Sequence, residues 1–263
     1  MKSIKKLLAA LLAVVMVAAI CGCGGDGKEE KPEKKSNGKA GQSQTETDSE
    51  YITDTESFKA AVGELVDLSK YSITDDKADM VSYAIKSEAK EDYKLDFKVE
   101  IGDGTEFTLP VKLPDLAAKG WNLTENSKPE EEFEPEYGTS GTIENSKGER
   151  LRIEAYNPGP QTVAFKECTV DSVDFVIYSI IDFKKNEDLP DFTVFGNITK
   201  DSTIEDVIKT LGNPKSIIIF CGDGETYPKI VIDYEEPGNA FNKVEFTFLG
   251  EKNVLAEVKC DVD

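Results

Sequence analysis

The sequence predicts an α+β fold of two related modules, each a short helix packed on an antiparallel sheet of about four strands. Three observations lead to this fold class. Apolar residues recur at helical spacing before each group of candidate strands, and apolar and polar residues alternate within those strands. Similar segments also occur in the same order in both halves of the chain. A helix across one face of a sheet buries the apolar side of both elements.

The N-terminal segment has the organisation of a secretory signal. Lys2, Lys5 and Lys6 precede an unbroken apolar run, Leu7 to Ile20, which ends beside two cysteines. The run is about 14 residues long, shorter than the ~20 that a transmembrane helix needs. We therefore predict a signal peptide over residues 1–22 and an extracytoplasmic location for the remainder.

The end of this segment resembles the lipobox of bacterial lipoproteins. The small residue that a lipobox requires, Gly22, stands before Cys23, whereas the bulky Ile20 stands before Cys21. Cys23 is therefore the preferred lipidation site and Cys21 the second choice. The resemblance implies a diacylglyceryl thioether on the Cys23 sulfur, and two or three acyl chains hold a protein firmly on a membrane. A plain signal peptide with incidental cysteines is the alternative.

The segment that follows is predicted to be a disordered tether. Residues 24–50 contain no aliphatic side chain larger than alanine, no aromatic residue and no cysteine, so they cannot bury enough surface to become ordered. The lipidated cysteine and tether thus span residues 23–50. We assign residues 51–182 to an N-terminal module and residues 183–263 to a C-terminal module.

Charge and composition exclude several function classes. The chain carries a formal charge of −20, and removing residues 1–22 takes away three lysines and no acid, which leaves −23. This charge argues against nucleic acid as a partner. The chain contains no histidine, so it has no Ser-His-Asp or Cys-His system and no histidine metal ligand. We predict no catalytic residues, no cofactor and no metal.

The predicted elements alternate between helical and strand periodicity. In the N-terminal module they are a helix over 55–69, an ambiguous segment over 78–89, a β-hairpin over 95–111 that turns at 102–104, a helix over 113–120, an exposed acidic loop over 123–137, and strands over 142–144, 151–155 and 168–181. In the C-terminal module they are a strand over 191–194, a helix over 204–211, and strands over 216–220, 230–234, 244–248 and 254–262.

The second long helix has clear end signals. Ser202 and Glu205 have the spacing of a capping box, in which each side chain binds the other's backbone N–H. Gly212 ends the helix, and Pro214 prevents its continuation. Between them lies one apolar stripe at positions i, i+3, i+4 and i+7, made of Ile204, Val207, Ile208 and Leu211.

A weak internal repeat relates the two halves. Glu106–Leu109 matches Asp191–Val194, and Leu113–Ala117 matches Ile204–Ile208. The segment from Asn197 to Pro214 resembles the helix-to-sheet module of the β-lactamase inhibitory protein and of small outer-membrane-assembly lipoproteins. It is more similar still to uncharacterised lipoproteins of low-GC Gram-positive bacteria that pair such modules. The resemblance covers residues 190–263 well, 90–182 poorly and the earlier residues not at all, and it implies fold and anchoring rather than an activity.

Several other side chains are candidate sites. Cys168 and Cys260 lie on alternating apolar faces, where they serve as small core residues or form a disulfide. Cys221 lacks a histidine that could activate it. Asp103 and Asp223 lie in Gly-Asp-Gly segments, which favour turns over Ca²⁺ sites. Trp121 is a candidate for ligand contact, but packing against the preceding helix is the preferred interpretation. The acidic cluster at 130–136 and the pair Asp171 and Asp174 are candidate carboxylate pairs, but solvated acidic surface is preferred.

These observations favour a lipid-anchored cell-envelope protein that acts as a non-catalytic binding or interaction module. Its expected partners are the membrane, through the anchor, and a protein or envelope polymer. Two alternatives stay open. A carboxylate-based envelope hydrolase requires two facing acids with shifted pKa values in a deep cleft, and a structural or assembly spacer requires no concave site.

Overall fold

The computed structural model describes residues 55–77, 79–87, 95–102, 104–179, 184–220, 228–249 and 254–262. The predicted lipidation residues Cys21 and Cys23, the tether, Asp103, Cys221 and Asp223 lie outside these ranges. Ser49–Asp263 forms one compact unit, and the buried apolar residues, from Val62 to Val262, all belong to it. None of the described helices is long and apolar enough to span a membrane.

Helices are few in the described residues and strands are many. The helices are α1 (Thr55–Leu65), α2 (Leu113–Ala118) and α3 (Ile204–Leu211). The strands are β1 (Tyr71–Asp76), β2 (Met80–Ile85), β3 (Lys98–Ile101), β4 (Thr105–Thr108), β5 (Val111–Lys112), β6 (Asn122–Leu123), β7 (Glu132–Phe133), β8 (Gly138–Glu144), β9 (Arg150–Tyr156), β10 (Val163–Ala164), β11 (Thr169–Val176), β12 (Phe192–Val194), β13 (Ser216–Phe220), β14 (Lys229–Glu236), β15 (Asn239–Leu249) and β16 (Val254–Asp261).

The predicted α+β fold of two modules is wrong. Strands account for 49% of the described residues and helices for 17%, and a single antiparallel sheet holds 11 strands. Its strand order is β1-β2-β13-β14-β15-β16-β11-β9-β8-β6. The eleventh strand, β5, stands outside this order and pairs with β11. Strands from both sides of residue 182 therefore share one sheet instead of forming two separate ones.

The junction between the two halves lies in the middle of this sheet. β11 pairs with β16, so that Val173 lies opposite Cys260 and Phe175 opposite Val258. A sheet of four strands would leave β11 and β16 as edges with unpaired backbone N–H and C=O groups. Pairing these two strands satisfies both edges at once, which is the physical reason for one sheet.

Two smaller sheets complete the β-structure in the described ranges. β12, β3 and β4 form a three-stranded sheet in that order, and β7 pairs with β10. The rings of Phe175 in the large sheet and Phe192 in the three-stranded sheet stack at 4.2 Å between centroids. The core thus continues from one sheet into the next.

Several local predictions agree with the structure, but others do not. The predicted exposed loop over 123–137 is wrong at strand β7, which pairs with β10 and carries the buried Phe133, and strand β1 was not predicted. The ambiguous segment at 78–89 contains strand β2, because Val81, Tyr83 and Ile85 are buried on one face between β1 and β13. The capping box of α3 is formed by Thr203 and Asp206, one position after the predicted pair. Thr203 Oγ1 accepts from the Asp206 N–H at 3.2 Å, and Asp206 Oδ2 accepts from the Thr203 N–H at 2.9 Å.

Candidate functional site

The large sheet has one apolar face in the core and one polar face. Across the polar face, paired positions place Arg152 on β9 beside Asp174 on β11, then Lys259 on β16, Glu245 on β15 and Asp233 on β14. Burial raises the pKa of both Asp233 and Glu245, and for Glu245 the neighbouring Asp233 adds to this effect. The polar face is therefore a crowded row of charges rather than a fully hydrated surface.

One end of the polar face forms a cavity of about 800 Å³. Its lining comes from residues 122–127, from Ser140, Gly141, Thr142 and Glu144 on β8, and from Arg150 and Arg152 on β9. A second cavity of about 190 Å³ adjoins it, with Asn186, Asp188, Leu189 and Asp174 among its lining. Thr142, Arg150 and Arg152 line both cavities. We call these two cavities together the arginine groove.

Arg150 and Arg152 are the only arginines of the whole chain, which has 29 lysines. They alternate along β9 with the buried Leu151 and Ile153, so both point to the polar face. Arg150 Nε lies 2.6 Å from Glu144 Oε2, and its Nη1 lies 3.6 Å from Asp188 Oδ2. Arg152 Nη1 lies 3.2 Å from Asp174 Oδ2. The arginine side chains are nonetheless 53% and 65% exposed, so much of each guanidinium remains accessible.

Asp174 is the most perturbed acid of the groove. Its carboxyl Oδ1 is buried and has no hydrogen-bond partner among the described residues. Burial, and then the neighbouring Glu257 carboxylate, raise the pKa of Asp174 to about 7, while Arg152 and Lys259 oppose the rise. The pKa of Lys259 is raised as well, because Asp261, Glu154 and Asp174 together outweigh the burial that opposes its charge.

We predict that Asp174→Asn stabilises the protein above neutral pH. The pKa of Asp174 rises from 3.8 to about 7 on folding, so the folded state binds the extra proton, and stability falls as pH rises from about 4 to 7. The variant should match the wild type near pH 4 and exceed its free energy of unfolding by about 1–2 kcal/mol at pH 8, allowing for solvent screening. Urea unfolding at both pH values measures this, and a less stable variant at pH 8 would contradict it.

The two cysteines weighed for a disulfide carry free, buried thiols. Cys260 lies opposite Val173 in the large sheet. Val173 is five residues after Cys168, which corresponds to about 16 Å of extended strand between Cys168 and the position opposite Cys260. A disulfide needs Cα atoms within about 7 Å, so the structure does not form the bridge that the sequence allowed. Burial raises the pKa of Cys168 to about 11 and raises that of Cys260 as well. Both side chains act as small core residues.

Trp121 lies in the core and is not displayed for binding. It is fully buried after the end of α2, and its backbone N–H donates to the Leu116 carbonyl at 3.0 Å. It lines a separate cavity, of about 340 Å³, together with residues such as Pro114, Leu123 and Pro129. The indole Nε1 has no hydrogen-bond partner among the described residues. The expected packing of Trp121 against the last turn of α2 agrees with this position.

The other acidic candidates are not brought together as catalytic pairs. Glu130 Oε1 binds Lys166 Nζ at 2.7 Å, and Glu131 Oε2 lies 3.7 Å from Lys128 Nζ, both on the surface. Asp174 faces Glu257 from the neighbouring strand, a pairing that the sequence did not indicate. Within the described ranges, no group of three or more Asp, Glu, Cys or His side chains has the arrangement of a metal site.

The arginines were not among the sequence-derived site candidates. Their scarcity and their i, i+2 spacing on an alternating strand were visible in the sequence and placed both on one face. The two segments that wall the groove, 122–127 and 186–189, come from distant parts of the chain. Only the folded structure shows that these segments meet at the arginines.

No family model matches the chain, and neither the curated proteins nor the solved structures include a significant match. The resemblance to tandem-module lipoproteins therefore stays a prediction.

Proposed function

We propose that this chain is a lipid-anchored protein of the cell envelope that binds its partner without catalysis, through the arginine groove. The observation that carries the proposal is the placement of both arginines of a strongly acidic chain in one concave site. Arginine is the side chain best suited to fix an oriented polar ligand, because its planar guanidinium offers five donors.

The shape of the groove also supports binding. Its larger cavity, of about 800 Å³, is in the size range of ligand sites and larger than a structural spacer requires. Hydroxyl and amide side chains line it beside the arginines, including Asn122, Thr124 and Ser127. Such groups fix the orientation of a polar partner by hydrogen bonds.

The hydrolase alternative has one feature in its favour, the raised pKa of Asp174. The cavity that holds Asp174 has only about 190 Å³, and Glu257 does not line it. Asp174 lies opposite Lys259 and Glu257 opposite Val176, so the two acids are diagonal neighbours on adjacent strands rather than a pair that faces across a cleft. The arrangement therefore supports a perturbed surface carboxyl more than a catalytic acid pair.

The test is affinity capture from solubilised native envelope with the compact unit Ser49–Asp263 as bait. The double variant Arg150→Gln/Arg152→Gln should recover less than a tenth of the partner that the wild type recovers. The control is Lys98→Gln, which removes an exposed ion pair with Glu106 outside the groove and should leave capture unchanged. Equal recovery by the double variant, or turnover of a glycan or peptide panel by the wild type, would contradict the proposal.

A further inference from the structure

The ligand class of the groove follows from its donors and its acids, and this inference rests on the proposed function. We propose that the arginine groove binds the phosphodiester group of a hydroxyl-bearing ligand, that Arg150 and Arg152 hold this group together, and that Asp174 competes with it for Arg152.

The arginines retain enough donors for an incoming anion. Arg150 donates one of its five N–H groups to Glu144 Oε2, while Asp188 Oδ2 lies 3.6 Å from Arg150 Nη1 and Asp174 Oδ2 lies 3.2 Å from Arg152 Nη1. Because the two residues are separated by one position on a strand, their Cα atoms are about 6.5–7 Å apart on the same face. Both guanidiniums can therefore reach one bound group.

A phosphodiester fits these donors better than a carboxylate or a phosphate monoester. Its two non-bridging oxygens diverge tetrahedrally, so each can accept from a different guanidinium, whereas one guanidinium satisfies a planar carboxylate. A monoester would bring up to two negative charges among the acids that already line the groove, Glu125, Glu144, Asp174 and Asp188. A diester brings one charge and meets less repulsion.

The other side chains that line the larger cavity favour a ligand with hydroxyl groups. Ser127 Oγ accepts from the Thr142 N–H at 2.9 Å and lies 3.0 Å from Thr124 Oγ1. Asn122 and Asn126 add amides to the same lining. No aromatic side chain is among the described residues that line the larger cavity, so ring stacking does not contribute. This combination suits a linear polyol attached to the phosphate.

Asp174 is placed to compete with the ligand. Its Oδ2 holds Arg152 Nη1 at 3.2 Å, and the groups that face its carboxyl are Arg152 from β9, Glu257 and Lys259 from β16, and Asp188 across the smaller cavity. Since the pKa of Asp174 is about 7, acidification from pH 8 to pH 6 protonates most of it. Arg152 then loses its internal counter-charge and becomes available to the phosphodiester.

The test is calorimetric titration of the Ser49–Asp263 unit with glycerophosphoglycerol, whose charge does not change between pH 6 and pH 8. The affinity of the wild type should be about tenfold higher at pH 6 than at pH 8, because the protonated fraction of a carboxyl with a pKa of about 7 changes about tenfold between these two pH values. Arg152→Gln should bind at least tenfold more weakly at pH 6, and Arg152→Lys should restore part of the loss. Asp174→Asn should bind with the higher affinity at both pH values.

Separate arms identify the source of the phosphodiester. Dimethyl phosphate, a phosphodiester with the same single charge and no hydroxyl groups, should bind more weakly than glycerophosphoglycerol, and equal affinity would overturn the requirement for hydroxyl groups. Flotation with phosphatidylglycerol and phosphatidylcholine vesicles shows whether a lipid headgroup can enter the groove.

Two further results would overturn the inference. The first is absence of glycerophosphoglycerol binding, and the second is wild-type binding by Arg152→Gln. If affinity capture still depends on the arginines in either case, the proposed function stands and only this ligand class fails.

Discussion

Replacing Phe246 by alanine should lower the free energy of unfolding by about 3–5 kcal/mol. Phe246 is fully buried on β15, where it lies between Ile232 of β14 and Val258 of β16. Its ring centroid lies 6.1 Å from that of Tyr234 and 6.3 Å from that of Phe195, which follows β12. Alanine removes contacts to the large sheet and to the segment that follows β12, and urea unfolding followed by circular dichroism measures the loss.

Phe241 provides a control on the same strand. It is 45% exposed, so Phe241→Ala should change the free energy of unfolding by less than about 0.5 kcal/mol. Both variants should unfold in a single transition, because one sheet joins the halves of the chain. A Phe246→Ala protein that unfolds in two steps, with the N-terminal strands unaffected, would contradict the single sheet.

Val258→Lys should prevent folding. Val258 is fully buried on β16, opposite Phe246 on one side and Phe175 of β11 on the other. A lysine there would put an unpaired ammonium group at the junction between the two halves, which costs several kcal/mol and exceeds the stability margin of many domains. Far-UV circular dichroism and gel filtration of the purified variant measure this outcome.

Glu257→Lys introduces the same residue one position earlier, on the opposite face. Glu257 is only partly buried and its carboxylate raises the pKa of Asp174, so a lysine there replaces a repulsion by an attraction. We expect this variant to fold with stability within about 1 kcal/mol of the wild type. If Val258→Lys and Glu257→Lys both fold, or both fail to fold, the assignment of buried and polar faces on β16 is wrong.

The location of most long strands was predictable from sequence, although β1 was missed, but the partners of the strands were not. Alternation marks Val244, Phe246 and Phe248 as one face of a strand, and this signal is local. Pairing of β11 with β16 connects residues more than 80 positions apart, and any strand with one apolar face satisfies the same pattern. The internal repeat favoured two separate sheets because it gave no information on which edges meet.

The capping box shows a similar limit at the scale of one residue. Both Ser202 with Glu205 and Thr203 with Asp206 have the required residue types and spacing. Which pair forms the capping box depends on the residue at which the backbone changes from extended to helical, and this residue is Thr203. Ser202 instead accepts a hydrogen bond from the Thr199 N–H at 3.0 Å.

The groove depends on contacts that no local pattern contains. Arg150 and Arg152 on an alternating strand are typical of a solvated face, and only the neighbouring segments make that face concave. The raised pKa of Asp174 likewise needs Glu257, which lies 83 positions later in the sequence and on a neighbouring strand. Tertiary structure therefore creates both features from residues that are unremarkable in isolation.

Hydrogen–deuterium exchange of the Ser49–Asp263 unit, with and without the partner captured from the envelope, tests the proposed binding surface most directly. The account predicts slower exchange at 122–127 and 186–189, the two segments that wall the arginine groove, and little change in the edge strand β1. Protection confined to β1, with unchanged exchange in both walls of the groove, would contradict it.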